Sequence, residues 1–451
     1  MSEIAIDFSR SAGAIKRLHG VNNGPVGYGE LIDVSHHFTE AGIPLVRLHD
    51  PNWPYPREVD IHTIFPDFDR DPDDPASYDF SRTDAYVRSV IATGAQIVYR
   101  LGQSIEHTAI KYYVHPPQDF AKWARICLGI VRHYNEGWAN GFHYGIRYWE
   151  VWNEPDNGDS GVMWSGTEQQ YFELYRVTAT ALKAHDPQLQ VGGYAACRLE
   201  LPWLPNFLAF CREHRLPLDF FSWHTYTIDL DRLTRNARKI RGLLDEHGFA
   251  GTESHLNEWN YVDLADWKKK LWSPTPEAEL ARRAMFERAK GVEGAAFAAA
   301  ALMALQDCGV DQGNYYDGQP SALLCGLFDY YGVPQKTYHA FRAFHELARH
   351  SLRVFVSVGA GEEAAGGIVA CAGMDEAGDA AVLVANLGAG RVCTIRLDGL
   401  PDRSVYAGET LLLDRERDLT PAASVAGLRA GGAAEAFVPE HGVLLLKLLR
   451  Q

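Results

Sequence analysis

From about residue 18 to residue 348, short apolar runs alternate with longer segments whose apolar residues recur at helical spacing. The runs read as eight strands: Leu18–Asn22, Pro44–Asp50, Ala95–Leu101, Ile146–Asn153, Leu189–Tyr194, Asp219–Thr225, Ser254–Trp259 and Ala295–Ala304. Several helical segments stop at a glycine just ahead of the next strand, at Gly42, Gly94, Gly248 and Gly291. Glycine accepts the left-handed conformation that closes a helix, so each is an expected C′ position. Ser273-Pro274-Thr275-Pro276 punctuates the start of a helix over Glu277–Lys290. Eight such repeats predict an α/β fold, a parallel (β/α)8 TIM barrel. An open doubly wound sheet would carry a glycine-rich phosphate loop after its first strand, and Gly27-Tyr28-Gly29 lacks the third glycine.

After His350 the hydrophobic period shortens to two. Ala381–Asn386, Val392–Leu397 and Gly442–Leu448 alternate and are parted by Gly, Asp and Pro, the pattern of a β-sandwich. Ile4–Phe8 alternates likewise and is expected to add a strand to it. The expected organisation is therefore an N-terminal strand in residues 1–17, a barrel in 18–348 and an accessory β-sandwich in 349–451.

Composition narrows the function. Hydrophobic residues make up 46% and charged residues 22%, ample for a large core. A net charge of −15 argues against nucleic-acid partners, because phosphate binding needs clustered Lys and Arg. The one basic run, Lys268-Lys269-Lys270, sits among Asp263, Asp266 and Trp267 and reads as a solvated loop. No apolar stretch is long enough to cross a bilayer, so no membrane partner is expected. The first residues carry no basic segment followed by an apolar one, and the seven cysteines show no C-x-x-C. Both point to a cytoplasmic protein with reduced thiols.

The candidate chemistry lies at two strand ends. Trp152-Asn153-Glu154-Pro155 closes the fourth run and Asn257-Glu258-Trp259-Asn260 the seventh. Barrel chemistry sits at the C-terminal ends of the strands, so both carboxylates are expected at one mouth. Paired carboxylates flanked by aromatic rings suit cleavage of a glycosidic bond. Glu154 is the candidate acid/base, with Asn153 placed to bond a sugar hydroxyl and Pro155 fixing the turn. Glu258 is the candidate nucleophile, with Trp259 shaping the pocket. The mechanism expected is retaining, with a carboxyl separation of ~5–5.5 Å.

These positions resemble glycoside hydrolase family 39, of the clan A retaining enzymes. Val46-Arg47-Leu48-His49 is similar to that family's strand-two R-x-H, and Glu150-Val151-Trp152-Asn153-Glu154-Pro155 to its acid/base strand. Val191-Gly192-Gly193, Asp219–Tyr226, Glu258-Trp259-Asn260 and the segment Gly326-Leu327 with Pro334-Gln335-Lys336 continue the resemblance in order. It implies that Tyr226 bonds the nucleophile, that His49 and His224 hold sugar hydroxyls, and that Arg47 orients a carboxylate from below. The function expected is that of an exo-acting enzyme on short oligosaccharides, β-xylosidase-like, with arabinosidase or β-glucosidase as alternatives and an endo-acting polysaccharide hydrolase as a further one. No cofactor is implied. Three departures stand out: Asn257 replaces the family's usual Thr before the nucleophile, Ala300–Asp307, the stretch matched to its eighth strand, has no aromatic residue, and the strand-one segment His19-Gly20-Val21-Asn22-Asn23-Gly24-Pro25 differs from that of its xylosidase-like members.

Other signals point elsewhere or nowhere. Gly158-Asp159-Ser160-Gly161 spells a serine-protease tetrad on the wrong scaffold. His36-His37 diverge on a helix, and neither H-x-x-x-H nor paired-Cys spacing appears, so no metal site is expected. Trp164 could stack on a leaving-group sugar, and His107 and His115 could line the pocket. A different class, a catalytically inactive carbohydrate-binding protein on the same scaffold, would have no need of two carboxylates at these positions. The sugar, its anomeric configuration and the oligomeric state stay open.

Overall fold

The computed structural model describes residues 2–52, 57–106, 108–158, 162–264, 273–320, 326–359, 367–401 and 404–451. Lys268–Lys270, Asp159–Gly161 and His107 lie outside the described residues.

Eight parallel strands close into a barrel. In order they are Gly20–Asn22, Leu45–Leu48, Gln96–Leu101, Tyr148–Val151, Gln190–Ala196, Phe220–Tyr226, Glu253–Asn260 and Gln312–Tyr315. The eighth pairs with both the seventh and the first, which completes the ring. Seven of the eight expected strands fall where the apolar runs lie.

The eighth does not. Ala295–Ala304 belongs to a helix, Val292–Ala304, and the true last strand begins at Gln312. The run is mostly alanine, the strongest helix former, and every residue from Gly294 to Met303 is buried. A helix hidden on all sides has no polar stripe, so its periodicity cannot be told from that of a buried strand. The aromatic residues missing from Ala300–Asp307 are supplied by the real strand, which ends at Tyr315 and runs on into Tyr316-Asp317.

Gly42, Gly94 and Gly248 take positive φ at helix ends, whereas Gly291 is extended at φ −83° and links two helices. The helix that follows Ser273-Pro274 is Pro276–Lys290, capped by the Thr275 side chain, which accepts from Ala278 N at 3.3 Å.

The accessory β-sandwich is one continuous run of nine hydrogen-bonded strands around its own apolar core. Ser2–Ala14 lies inside that run, antiparallel to Leu352–Val358 and parallel to Arg391–Asp398. Its alternation buries Ile4, Ile6 and Phe8 in the sandwich core. Strand Ala380–Asn386 is buried on both faces: Val382 and Val384 enter the sandwich core, while Ala381, Leu383 and Ala385 pack with the barrel. The alanine helix and helix Lys336–Ala348 receive that second face. This contact explains why a helix on the outside of a barrel carries no polar side.

Candidate active site

The fourth strand delivers Glu154 through a bent backbone. Trp152 and Glu154 both take the left-handed conformation, at φ 73° and 45°. Such angles cost a non-glycine residue free energy, which the surroundings must offset. The Trp152 indole is held by a hydrogen bond from Nε1 to Met163 O (2.9 Å) and by the Trp164 ring at 5.2 Å. Gly102 lies against it, and a Cβ there would come within 3.2 Å of Trp152. The strain turns Glu154 toward the mouth of the barrel.

Arg47, fully buried in the lumen, ties the two strand ends together. Its Nε donates to Glu150 (2.7 Å), its Nη1 to Glu258 (2.8 Å) and Asn22 (3.1 Å), and its Nη2 to Asn153 (2.6 Å). Glu150 also accepts from Asn257, the residue standing before Glu258. Asn22 donates to the backbone carbonyls of Asn257 and Asn314. One guanidinium thus faces two carboxylates in a dry interior, a placement that is stable only because every side of it is bonded.

Glu154 and Glu258 meet above this floor. Their nearest carboxylate oxygens and His224 Nδ1 all lie within 4.8 Å of one another. His224 Nδ1 is 2.7 Å from Glu154 and 3.5 Å from Glu258. Tyr226 donates its hydroxyl to Glu258 at 2.8 Å. Burial pushes the Glu154 carboxyl up to about 7, opposed by the Asn157 amide and by Arg47. Burial raises Glu258 too, but His224, the Arg47 ion pair and the Tyr226 hydroxyl all pull it back toward the ionised form. The two groups are alike in burial and differ in company: Arg47 and Tyr226 stand beside Glu258, and Asn157 beside Glu154.

Around the pair, several polar atoms of buried side chains are left without a protein partner: His49 Nε2, Asn153 Nδ2 and His224 Nε2. Buried polar atoms normally find one, so these three are free to meet a ligand's polar groups. His49 Nε2 lies 3.5 Å from Asp50 and 3.8 Å from Glu258. Asp50 and Asp317, at the ends of strands two and eight, are also buried, and burial lifts them to about 8 and about 7.

Of the residues expected from sequence, Arg47, His49, Asn153, Glu154, His224, Tyr226 and Glu258 are brought together. Trp259 is not. It is fully buried, its ring packs edge-on to Tyr315 at 5.2 Å, and it belongs to the core between strands seven and eight. The strand is bulged between Leu256 and Glu258, so Asn257 and Glu258 both reach the lumen network while Trp259 packs into the core. Trp164 is likewise spent on packing, with Nε1 donating to Thr167 O at 3.0 Å, and His115 bonds Ser165 at 2.7 Å.

Sequence reasoning missed Glu150, Asn22, Asn314, Asp50 and Asp317. The available signal was a charged or amide residue inside an otherwise apolar strand, since each such group needs a partner across the lumen.

Glu154, His224 and Glu258 are also the described residues best grouped to hold a metal ion. The Arg47 guanidinium already supplies positive charge to Glu258, which opposes a cation there. A cavity of about 550 Å³ on the flank of the barrel, lined by Phe286, Lys290, Lys336 and Asp418 among others, shares no residue with this site.

A closed parallel barrel with two buried carboxylates meeting at its C-terminal mouth is the architecture of the barrel glycoside hydrolases. Residues 39–357 match the family described as Glycosyl hydrolases family 39, and the chain belongs to that family. Over 314 residues it is 30% identical to a beta-xylosidase of Geobacillus stearothermophilus, covering 60% of this chain and 56% of the relative. A beta-xylosidase of Caldicellulosiruptor saccharolyticus is 28% identical over 243 residues, covering 49% and 46%. The chain thus spans about half the length of these curated relatives. Its fold is shared along the whole chain with a glucosidase from Croceicoccus marinus, at TM-score 0.81, 24% identity and coverage of 100% and 99%. A monomeric beta-xylosidase from Caulobacter crescentus CB15 matches at TM-score 0.71 and 19% identity, with 99% of each chain covered.

Proposed function

We propose that this protein is a retaining exo-glycosidase that hydrolyses short oligosaccharides, with a β-linked pentoside such as a xyloside as substrate. The observation that carries the reading is that one carboxylate oxygen of Glu154 and one of Glu258 lie within 4.8 Å of each other, both close to His224 Nδ1. A retaining pair stands ~5–5.5 Å apart, whereas an inverting pair needs ~6.5–9.5 Å to admit a water.

Glu258 attacks the anomeric carbon while Glu154 gives its proton to the departing oxygen. The glycosyl-enzyme is then opened by a water that Glu154, now ionised, deprotonates. Arg47 and Tyr226 keep Glu258 ionised and aimed, and Asn153, His49 and His224 take the sugar hydroxyls. The β-xylosidase relatives support the pentoside. The six described cysteines are all free, which supports a reducing, cytoplasmic location and a substrate already imported. No helix among the described residues is long and apolar enough to cross a membrane.

The test is hydrolysis of an aryl-glycoside panel spanning β-xyloside, α- and β-arabinosides, β-glucoside, β-galactoside and β-mannoside, with Glu258→Ala as the blank. Cleavage of the β-xyloside that is lost in the blank is the expected result. Preference for an arabinoside or β-glucoside would move the specificity and keep the mechanism. Silence across the panel, with a glycan still bound, would turn the reading toward an inactive binder.

A further inference from the structure

Arg100 is fully buried on the third barrel strand and belongs to none of the groups assigned above. Its Nη2 is anchored to Asp60 at 2.7 Å and to Ser104 Oγ at 3.2 Å. Asp60 is fixed in turn by the Ser104 amide (3.0 Å) and hydroxyl (2.8 Å). The remaining contact points inward: Arg100 Nε lies 3.2 Å from His49 Nδ1.

That contact has a definite polarity. A guanidinium has only donors, so the imidazole nitrogen facing it must present a lone pair. A neutral imidazole whose Nδ1 accepts carries its hydrogen on Nε2. His49 Nε2 is the atom left without a protein partner, 3.8 Å from the Glu258 carboxylate. The His49 backbone amide donates to Asn23 Oδ1 at 3.1 Å, which holds the main chain from which the ring projects.

We propose that Arg100 is a positioning residue: held by Asp60, it locks His49 in the tautomer whose Nε2–H donates to a sugar hydroxyl beside the nucleophile. The inference rests on the glycosidase reading for the identity of the acceptor, but not for the tautomer. The contact of Arg100 with the groups assigned above runs through His49 Nδ1. The groups facing His49 are Arg47 and Asp50 on its own strand, Arg100 from strand three, His224 from strand six and Glu258 from strand seven. Burial, with Arg47 and Arg100 adding to it, holds the ring well below the ordinary histidine value and therefore neutral. Removing Arg100 takes away one of those cations and frees Nδ1 to bind a proton.

The test uses the full chain labelled with ¹⁵N-histidine, the His49 signals being those lost in His49→Gln. In the wild type, Nδ1 should resonate as an unprotonated ring nitrogen and Nε2 as a protonated one at neutral pH. A protonated Nδ1 would overturn the proposal without any Arg100 variant having to fold. In Arg100→Gln the single tautomer should be lost and the ring should protonate at a higher pH than in the wild type. An unchanged ring would overturn it as well.

On a glycoside that the wild type cleaves, Arg100→Gln should lower kcat/KM by about tenfold to a hundredfold, the range of one hydrogen bond to a charged group. In a His49→Gln background the same substitution should add less than about twofold. An equal loss in both backgrounds would mean that Arg100 acts on the fold rather than through His49. A wild type that cleaves nothing would bring down the glycosidase reading and leave the nitrogen spectra to decide the tautomer.

Discussion

The barrel lumen and the sandwich interior are equally dry and are built on opposite rules. In the lumen, Asn22, Arg47, Glu150, Asn257 and Asn314 are all fully buried. In the sandwich, the matching depth is filled by Ile4, Ile6, Val382, Val384 and Leu446, with nothing to satisfy but shape. Apolar burial stabilises by roughly 25 cal/mol per Å², whereas a buried ion pair often contributes nothing net against a hydrophobic replacement. A fold seeking only stability would fill both interiors in the second way. The lumen charges bear on Glu154 and Glu258, and under the function proposed above damage in the two regions should read out differently.

The largest effect belongs to the lumen. Glu258→Ala should lower kcat by at least about a thousandfold while leaving the thermal midpoint close to wild type, since it removes the proposed nucleophile and leaves Arg47 paired with Glu150. Turnover within tenfold of wild type, followed as release of the aryl group, would remove Glu258 from the mechanism. Arg47→Met should cost both activity and stability. It strands Glu150 and Glu258 without a counter-charge, and breaking a buried pair from one side costs about 3–5 kcal/mol. Urea unfolding would detect that loss, and a variant as stable as wild type would show that the lumen tolerates unpaired carboxylates.

How far this arrangement could be read in the sequence follows from the same contrast. Glu154 and Glu258 were legible because each stands at the end of an apolar run, where a charge is conspicuous. Arg47 and His49 were legible on strand two for the same reason and through the resemblance of the motif. Glu150 was in plain view between Trp149 and Val151, but its partners, Arg47 and Asn257, lie 103 and 107 residues away. A lumen closes such pairs only once the strands are in register. Trp259 misled because the strand is bulged beside Glu258, so that Asn257 joins the lumen network and Trp259 the core, a break in alternation that the sequence does not announce. The eighth strand misled because the alanine helix owes its apolar character to the sandwich packed on it, a tertiary cause that no local period records.

The sandwich should fail the other way. Leu446 is fully buried in the core that also holds Ile4, Val382 and Tyr406. Leu446→Ala should lower stability by about 2–5 kcal/mol through lost burial and the cavity left behind. Its kcat/KM per folded molecule should stay within about twofold of wild type at 25 °C. A selective loss of kcat with normal unfolding would mean that the sandwich does more than brace the barrel, and would blur the division drawn between the two interiors.

The smallest effect tests the electrostatics of the pair. Glu154 acts as an acid only while protonated, and burial places its pKa at about 7, against 4.5 for an ordinary glutamate. Activity therefore falls as pH rises through that value. Asn157 donates to Glu154 Oε2 at 2.8 Å and favours the ionised form. In Asn157→Ala the carboxyl should become harder to ionise, and the alkaline limb of kcat/KM should move up by as much as about one unit. Stability should follow the same sign. A carboxyl whose folded pKa is raised contributes fully below 4.5 and loses that contribution as pH rises through about 7, so the variant should lose more than wild type above neutrality. A limb that moves down, or does not move while Glu154→Gln abolishes it, would mean that the Asn157 bond does not govern the proton. The acid and the nucleophile would then be set apart by Arg47, His224 and Tyr226 alone, on the Glu258 side of the pocket.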